Sequence, residues 1–199
     1  MAPELKAAES DPDQMGQDRA GQFFIITGGP GSGKSTLIAE LIARGHAALP
    51  EAGRAIIRGQ VAIGGSALPW ADRRAFAELM LAWELRSHRE AAALKGPVFF
   101  DRGVPDVVGY LRFCGLEVPG HITRAAEIFR YNRRVFFAPP WKDIYRRDEE
   151  RKQSWAEALA TAESMIEVYT TLGYEIYRLP FAPVNDRADF MLELIREEG

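Results

Sequence analysis

The run Gly28-Gly29-Pro30-Gly31-Ser32-Gly33-Lys34-Ser35-Thr36 constrains this chain more than any other feature. It has the spacing G-x-x-x-x-G-K-[ST]. The apolar Gln22–Thr27 (QFFIIT) before it reads as a buried strand, and Lys34–Arg44 (KSTLIAELIAR) after it reads as a helix. A strand, a glycine-rich turn and a helix in that order make a phosphate cradle. The glycines let backbone N–H groups converge on an anion with no Cβ in the way, and the helix N-terminus adds its positive dipole end. Lys34 is expected to reach the β- and γ-phosphates, and the Ser35 hydroxyl to ligate Mg²⁺. Gly28 through Thr36 are therefore the expected binding residues for ATP, or another nucleoside triphosphate, with Mg²⁺.

Downstream, short apolar runs alternate with helical patterns. His46–Pro50 reads as a weak strand, Pro97–Phe100 (PVFF) as a strand ending on Asp101, Arg134–Ala138 as a strand stopped by Pro139 and Pro140, and Tyr174–Leu179 as a last strand. Helical spacing marks Ala71–Leu94, Asp106–Cys114, Ile122–Tyr131, Trp155–Leu172 and Arg187–Glu197. Strand–helix alternation predicts βαβ units, and continuous apolar strands predict cover on both faces. The expected fold is α/β, a three-layer P-loop NTPase architecture with a five-stranded parallel sheet. Residues 1–21, poor in large apolar groups, are expected to form a mobile tail ahead of a single domain over 22–199.

Composition removes other function classes. A net charge of −3 gives no case for a nucleic-acid partner, and no apolar run is long enough to span a membrane. One cysteine, Cys114, allows no internal disulfide and suits a reducing, cytoplasmic setting. Cys114 itself reads as a small core hydrophobe. His46, His88 and His121 have no metal-ligand spacing and read as surface or capping residues.

Val98-Phe99-Phe100-Asp101 is an apolar strand ending in Asp, the pattern that helps hold Mg²⁺ opposite a phosphate loop. Strand C-termini form the ligand crevice of a parallel sheet, so Asp101 and the loop are expected to face one site. Arg102, not Glu, follows Asp101, which argues against motor ATPases of the AAA-plus, ABC and recombinase types. No Asn-Lys-x-Asp motif supports a Ras-like GTPase.

The phosphate loop, Glu51-Ala52-Gly53-Arg54, Asp101-Arg102-Gly103, the stretch Pro139-Pro140-Trp141…Tyr145-Arg146…Asp148-Glu149-Glu150-Arg151 and the final strand and loop through Arg187 together carry a family likeness. With them the chain resembles the nucleoside- and nucleotide-kinase-like P-loop proteins, most closely the small ATPase/kinase domain family that includes the nicotinamide riboside kinase domain. The resemblance runs from about Gln22 to the C-terminus and implies a kinase-type core with an arginine-bearing lid. It implies that Glu51 contacts an acceptor hydroxyl as a base, although a plain helix N-terminal charge explains Glu51 equally well. It also implies that Arg102 lies near the phosphates or the acceptor, where the other reading is a purely structural ion pair. Lys142–Lys152 (KDIYRRDEERK) reads either as a solvated charged face or as a lid closing Arg147 and Arg151, with Arg146 a further candidate, over the transferring group. The loop Phe181–Asp186 is expected near the nucleotide base. Residues of Ala71–Leu94 read as core, with Trp70 and Trp83 as candidate borders of an acceptor site.

The expected activity is transfer of the γ-phosphoryl group of ATP to a small hydroxylated acceptor. Lys34, Glu51, Asp101, Arg102, Arg147 and Arg151 are the expected catalytic residues, and Ser35 and Asp101 the expected Mg²⁺ ligands. Two other readings stand beside it. One is a nucleotide-binding regulatory module or slow NTPase with no acceptor, and the other a dedicated nucleoside triphosphate hydrolase.

Overall fold

The computed structural model describes residues 16–29, 31–144 and 155–196. Strand β1 (Phe23–Gly28) leads into helix α1 (Lys34–Ala43), and β2 (Ala47–Leu49) is followed by α2 (Ala52–Ile63) and α3 (Arg73–Ala92). Next come β3 (Val98–Asp101), α4 (Val104–Phe113), α5 (Gly120–Ile128) and β4 (Arg134–Ala138). The chain then runs through α6 (Trp155–Thr171), β5 (Glu175–Arg178) and α7 (Val184–Arg196). The five strands pair in the order β2-β3-β1-β4-β5, all parallel. This is the expected α/β architecture.

Strand position follows from apolar content. Every residue of β3, β1 and β4 is buried, as central strands covered on both faces require. The short β2 and the half-polar β5 take the edges. Alternate side chains feed two layers: Phe23, Ile25 and Phe100 pack with α3, α4 and α5, while Phe24, Ile26 and Phe99 pack with α1 and α7. The chain leaves β1 to reach β2 beyond β3, then returns to β4 on the other side of β1. Order reverses there, so the carboxyl ends of β1 and β3 open a crevice. The register sets Ile26 beside Asp101 and Gly28 beside Ala138, which puts the phosphate loop next to the acidic strand end.

Three helices begin earlier than the sequence pattern indicates: α5 at Gly120 rather than Ile122, and two whose differences concern function. α4 starts at Val104 because Pro105 suits a first helical turn. α7 starts at Val184, closed by the Arg187 N–H on the Pro183 carbonyl at 3.1 Å. Asp106 and Arg187, expected to open their helices, therefore sit inside a first turn that faces the crevice.

Of the expected tail, residues 1–15 lie outside the described residues. Gly16 is buried against His88, and the Arg19 guanidinium donates to the carbonyls of Ala91, Ala92, Leu94 and Gly96, capping the end of α3. His88 is a correction to the surface reading of the histidines. It is fully buried among Phe23, Phe100, Phe129 and Tyr131, with Nε2 2.9 Å from the Arg130 carbonyl. Cys114 is only partly buried at the end of α4.

One carboxyl group is enclosed in the α3 layer. Glu84 is 3 % exposed, and burial, then the nearby Asp106 carboxylate, push its pKa well above 4.5. An acid with a raised folded pKa binds its proton more tightly when folded. Its contribution to stability is complete below about pH 4.5 and is lost as pH rises above it. Glu84→Gln is expected to remove that loss and to raise the thermal midpoint at pH 7.5 by ~2–4 °C for each kcal/mol recovered. Calorimetry showing a lower midpoint for the variant at pH 7.5 would contradict this.

Candidate active site

The phosphate loop turns where only glycine fits. Gly28 has φ 137°, and a Cβ there would lie 2.2 Å from the Ala138 carbonyl oxygen. Gly33, with φ 78°, caps the N-terminus of α1 in the left-handed region. Lys34 is 6 % exposed, and its Nζ donates to the Gly28 carbonyl at 3.1 Å and the Gly29 carbonyl at 2.9 Å. Burial, then the Arg102 charge, push its ammonium down to about 8. Ser35 and Thr36 stand exposed on the cleft wall.

A cluster of opposite charges faces that loop. Asp101 ends β3 at 5 % exposure, and burial pushes its pKa up. Its Oδ1 is buried with no hydrogen-bond partner among the described residues. Arg102 has φ 81°, the only left-handed non-glycine residue among those described. Such a conformation costs of order 1–3 kcal/mol and persists where surrounding contacts over-determine it. Those contacts are present: the Arg102 N–H donates to the Ile26 carbonyl at 3.1 Å, Nε to Glu51 Oε1 at 3.3 Å, and Nη1 to Asp106 Oδ1 at 3.1 Å. Burial raises the Glu51 pKa, but Arg102, Lys34 and Arg54 together outweigh it and hold Glu51 below the usual carboxylate range. Glu51 is thus an anion, with Arg54 Nε 3.8 Å away. It occupies the N-cap of α2 without capping it, so its side chain is directed to the arginines rather than to the helix.

Asp106 holds this cluster together, a role the sequence did not reveal. At 1 % exposure its carboxylate accepts from Thr27 Oγ1 at 2.6 Å, from the Gly103 N–H at 3.1 Å, from Arg102 and from the Tyr169 hydroxyl. One side chain thereby ties the end of β1 to α4, α6 and the strained Arg102. The available signal was its place at the third position of α4, where an Asp reaches back to the backbone N–H that starts the helix.

The loop and the cluster open into one cleft of about 650 Å³, within the range of ligand sites. Lys34, Glu51, Arg54 and Arg102 share its wall; Asp101 lies buried beneath. Beyond Glu51 the wall is apolar and aromatic, with Ile57, Trp70, Phe76, Met80, Tyr110 and Met165. Phe76 and Met80, expected in the core rather than in a pocket, serve both purposes. Trp83 packs on the core instead. At the opposite end Ala182, Pro183 and Val184 line the cleft where the base was expected, joined by Trp141 and Ile144. Pro30, Arg146, Arg147 and Arg151 lie outside the described residues.

The donor set fits Mg²⁺: an exposed serine hydroxyl on the loop, and a carboxylate oxygen of Asp101 buried without a partner. No cluster of three or more His, Cys, Asp or Glu suited to another metal occurs among the described residues. None of the described helices is long and apolar enough to cross a membrane.

A family model described as "AAA domain", AAA_28, matches residues 23–187. The chain belongs to that family. Its matched span includes the phosphate loop, Glu51, the Asp101–Asp106 cluster and Arg187. No curated protein sequence matches the chain significantly. Among solved structures it is similar to the NadR protein in complex with NR, with a TM-score of 0.67 and 15 % identity over 91 % of this chain and 51 % of that one. The chain thus spans about half the length of that protein. It is also similar to deoxyadenosine kinase from M. mycoides with bound dATP, with a TM-score of 0.63 and 13 % identity over 88 % of this chain and 99 % of the other. A third match is shikimate kinase from Acinetobacter baumannii in complex with shikimate, with a TM-score of 0.58 and 14 % identity over 92 % and 98 %. At these identities the likeness is one of fold, the fold of P-loop kinases.

Proposed function

We propose that the chain transfers the γ-phosphoryl group of a nucleoside triphosphate to a small hydroxylated acceptor. The observation that carries this reading is the single cleft in which the anionic Glu51, held beside Arg102, lies between the phosphate loop and an apolar, aromatic chamber. A protein that only binds or hydrolyses a nucleotide has no need of that chamber. The neighbours NadR, deoxyadenosine kinase and shikimate kinase support the reading at the level of fold.

The nucleotide's phosphates lie on the loop amides, with the base towards Pro183 and Trp141. Ser35 and Asp101 would hold Mg²⁺, which when bound supplies charge neutralisation at the phosphates. Glu51 accepts the hydrogen bond of the acceptor hydroxyl and aligns its oxygen with the γ-phosphorus. That oxygen forms the new P–O bond as the bond to the leaving nucleoside diphosphate breaks, and Glu51 takes the proton. A carboxylate held below the usual range is a weak base, which suits phosphoryl transfer, a reaction driven mainly by positioning and electrostatics. Lys34 and Arg102 offset the negative charge of the phosphates. Arg147 and Arg151 remain proposed lid residues.

The test is a panel of nucleosides, nucleotides, sugars and hydroxy acids screened for ADP release above the no-acceptor background. With a stimulating acceptor in hand, Glu51→Gln is expected to lower transfer by ~10²-fold or more while ATP affinity and background hydrolysis persist. Equal transfer by the variant would remove Glu51 from the mechanism, and a panel with no stimulation at all would favour the regulatory or hydrolase reading.

A further inference from the structure

Among the described residues, one buried cation at the phosphate loop has no charge to balance it. Arg187, in the first turn of α7, is 3 % exposed and lines the cleft. Its Nη2 donates to the Ser32 carbonyl at 3.2 Å, while Nε is buried with no hydrogen-bond partner among the described residues. Burial pushes its pKa down, and no carboxylate among the described residues opposes that. A neutral carbonyl does not compensate a guanidinium, and arginine does not shed its proton to escape the cost. Buried charges are ordinarily paired, so the position calls for an anion.

The surroundings hold the group at the loop. A Cβ on Gly33 would lie 2.7 Å from Nη1, so the missing side chain there makes room for the guanidinium as well as for the turn. The Trp141 ring lies 6.0 Å from the guanidinium carbon, within cation–π range. Lys34 donates to the Gly28 and Gly29 carbonyls and, at 3.4 Å, to the Ser32 hydroxyl, whereas Arg187 meets the Ser32 carbonyl and sits beside Gly33. The two cations therefore converge on Ser32 through different atoms, its hydroxyl for Lys34 and its carbonyl for Arg187, and the arginine keeps its charge at every working pH.

We propose that Arg187 binds the nucleotide's phosphates, adding a second positive charge at the Ser32–Gly33 edge of the loop. The ligand class it selects is a polyphosphate anion, and its missing counter-charge is the ligand's own. The proposal rests on reading the cleft as the nucleotide site.

The experiment compares the parent protein with Arg187→Met, which keeps the apolar stem and drops the charge, and with Arg187→Lys. Calorimetric titrations use ATP with Mg²⁺, inorganic tripolyphosphate and adenosine, and melting curves are taken without ligand. For Arg187→Met, affinity for ATP and for tripolyphosphate is expected to fall about 10- to 100-fold, the scale of a lost charged hydrogen bond, with adenosine unaffected. Arg187→Lys recovers part of the loss. The ligand-free midpoint of Arg187→Met stays level or rises, because an unbalanced buried charge has been removed. The proposal is overturned if Arg187→Met binds ATP and tripolyphosphate as the parent does. It is equally overturned if its ligand-free midpoint falls and all ligands weaken alike, which would make Arg187 a brace for the Ser32 carbonyl. Failure of the parent to bind ATP at all overturns the nucleotide reading itself, a result visible before any variant is made.

Discussion

Lys34→Ala is expected to lower ATP turnover by ~10²–10³-fold, the usual loss when one aimed charge is removed from an enclosed site. The expectation follows from where the ammonium sits: 6 % exposed, bonded to two carbonyls of the loop that would carry the phosphates. The same burial that lowers its pKa to about 8 makes the lysine costly to keep in the ligand-free protein. The variant should therefore fold with a midpoint close to the parent's while losing turnover. Steady-state rates and melting curves measured together check this. A variant that turned over ATP at the parental rate would mean that the cleft works without its loop lysine.

Asp106→Ala is expected to cost more in stability than any other single change at the site. The substitution takes one of its two carboxylates from Arg102 and leaves the Thr27 and Tyr169 hydroxyls and the Gly103 N–H without their acceptor at a position 1 % exposed. Breaking a buried, hydrogen-bonded charge pair by removing one partner costs ~3–5 kcal/mol, which corresponds to a midpoint lower by about 6–20 °C in a chain of this size. Turnover should fall as well, because Arg102 loses one of the two carboxylates that hold its strained backbone. Asp106→Asn keeps the shape and should fall between the two. A midpoint for Asp106→Ala within about 2 °C of the parent would show that the network contributes little.

The phosphate loop was legible because local chemistry dictates it: glycines for positive φ, a lysine, a serine, then a helix. The five strands were legible for a similar reason, since continuous apolar runs have few other places to go. The charge cluster was legible in part. Glu51 and Arg102 were found from their places after strands, but their meeting across 51 positions of sequence depends on β2 and β3 pairing in register. Asp106 was hidden, and Arg187 was named only as the end of the family likeness, because both helices start earlier beside prolines and so move each residue from a helix end to an inward-facing first turn. Burial of His88 was hidden because its neighbours Phe23, Phe100 and Phe129 come from three distant elements. Phe76 and Met80 show a limit of periodicity: an apolar stripe on α3 reads the same whether it faces a filled core or the wall of a cleft.

Phosphorus NMR of ATP incubated with the protein, Mg²⁺ and a stimulating acceptor follows the γ-phosphoryl group from donor to product. The γ-phosphorus signal is expected to pass into a phosphate ester of the acceptor, one ester formed for each ADP released, and Glu51→Gln is expected to slow this passage without changing the hydrolytic background. Passage of the γ-phosphorus into inorganic phosphate alone, whatever acceptor is present, would contradict this and identify the cleft as a hydrolytic or regulatory site.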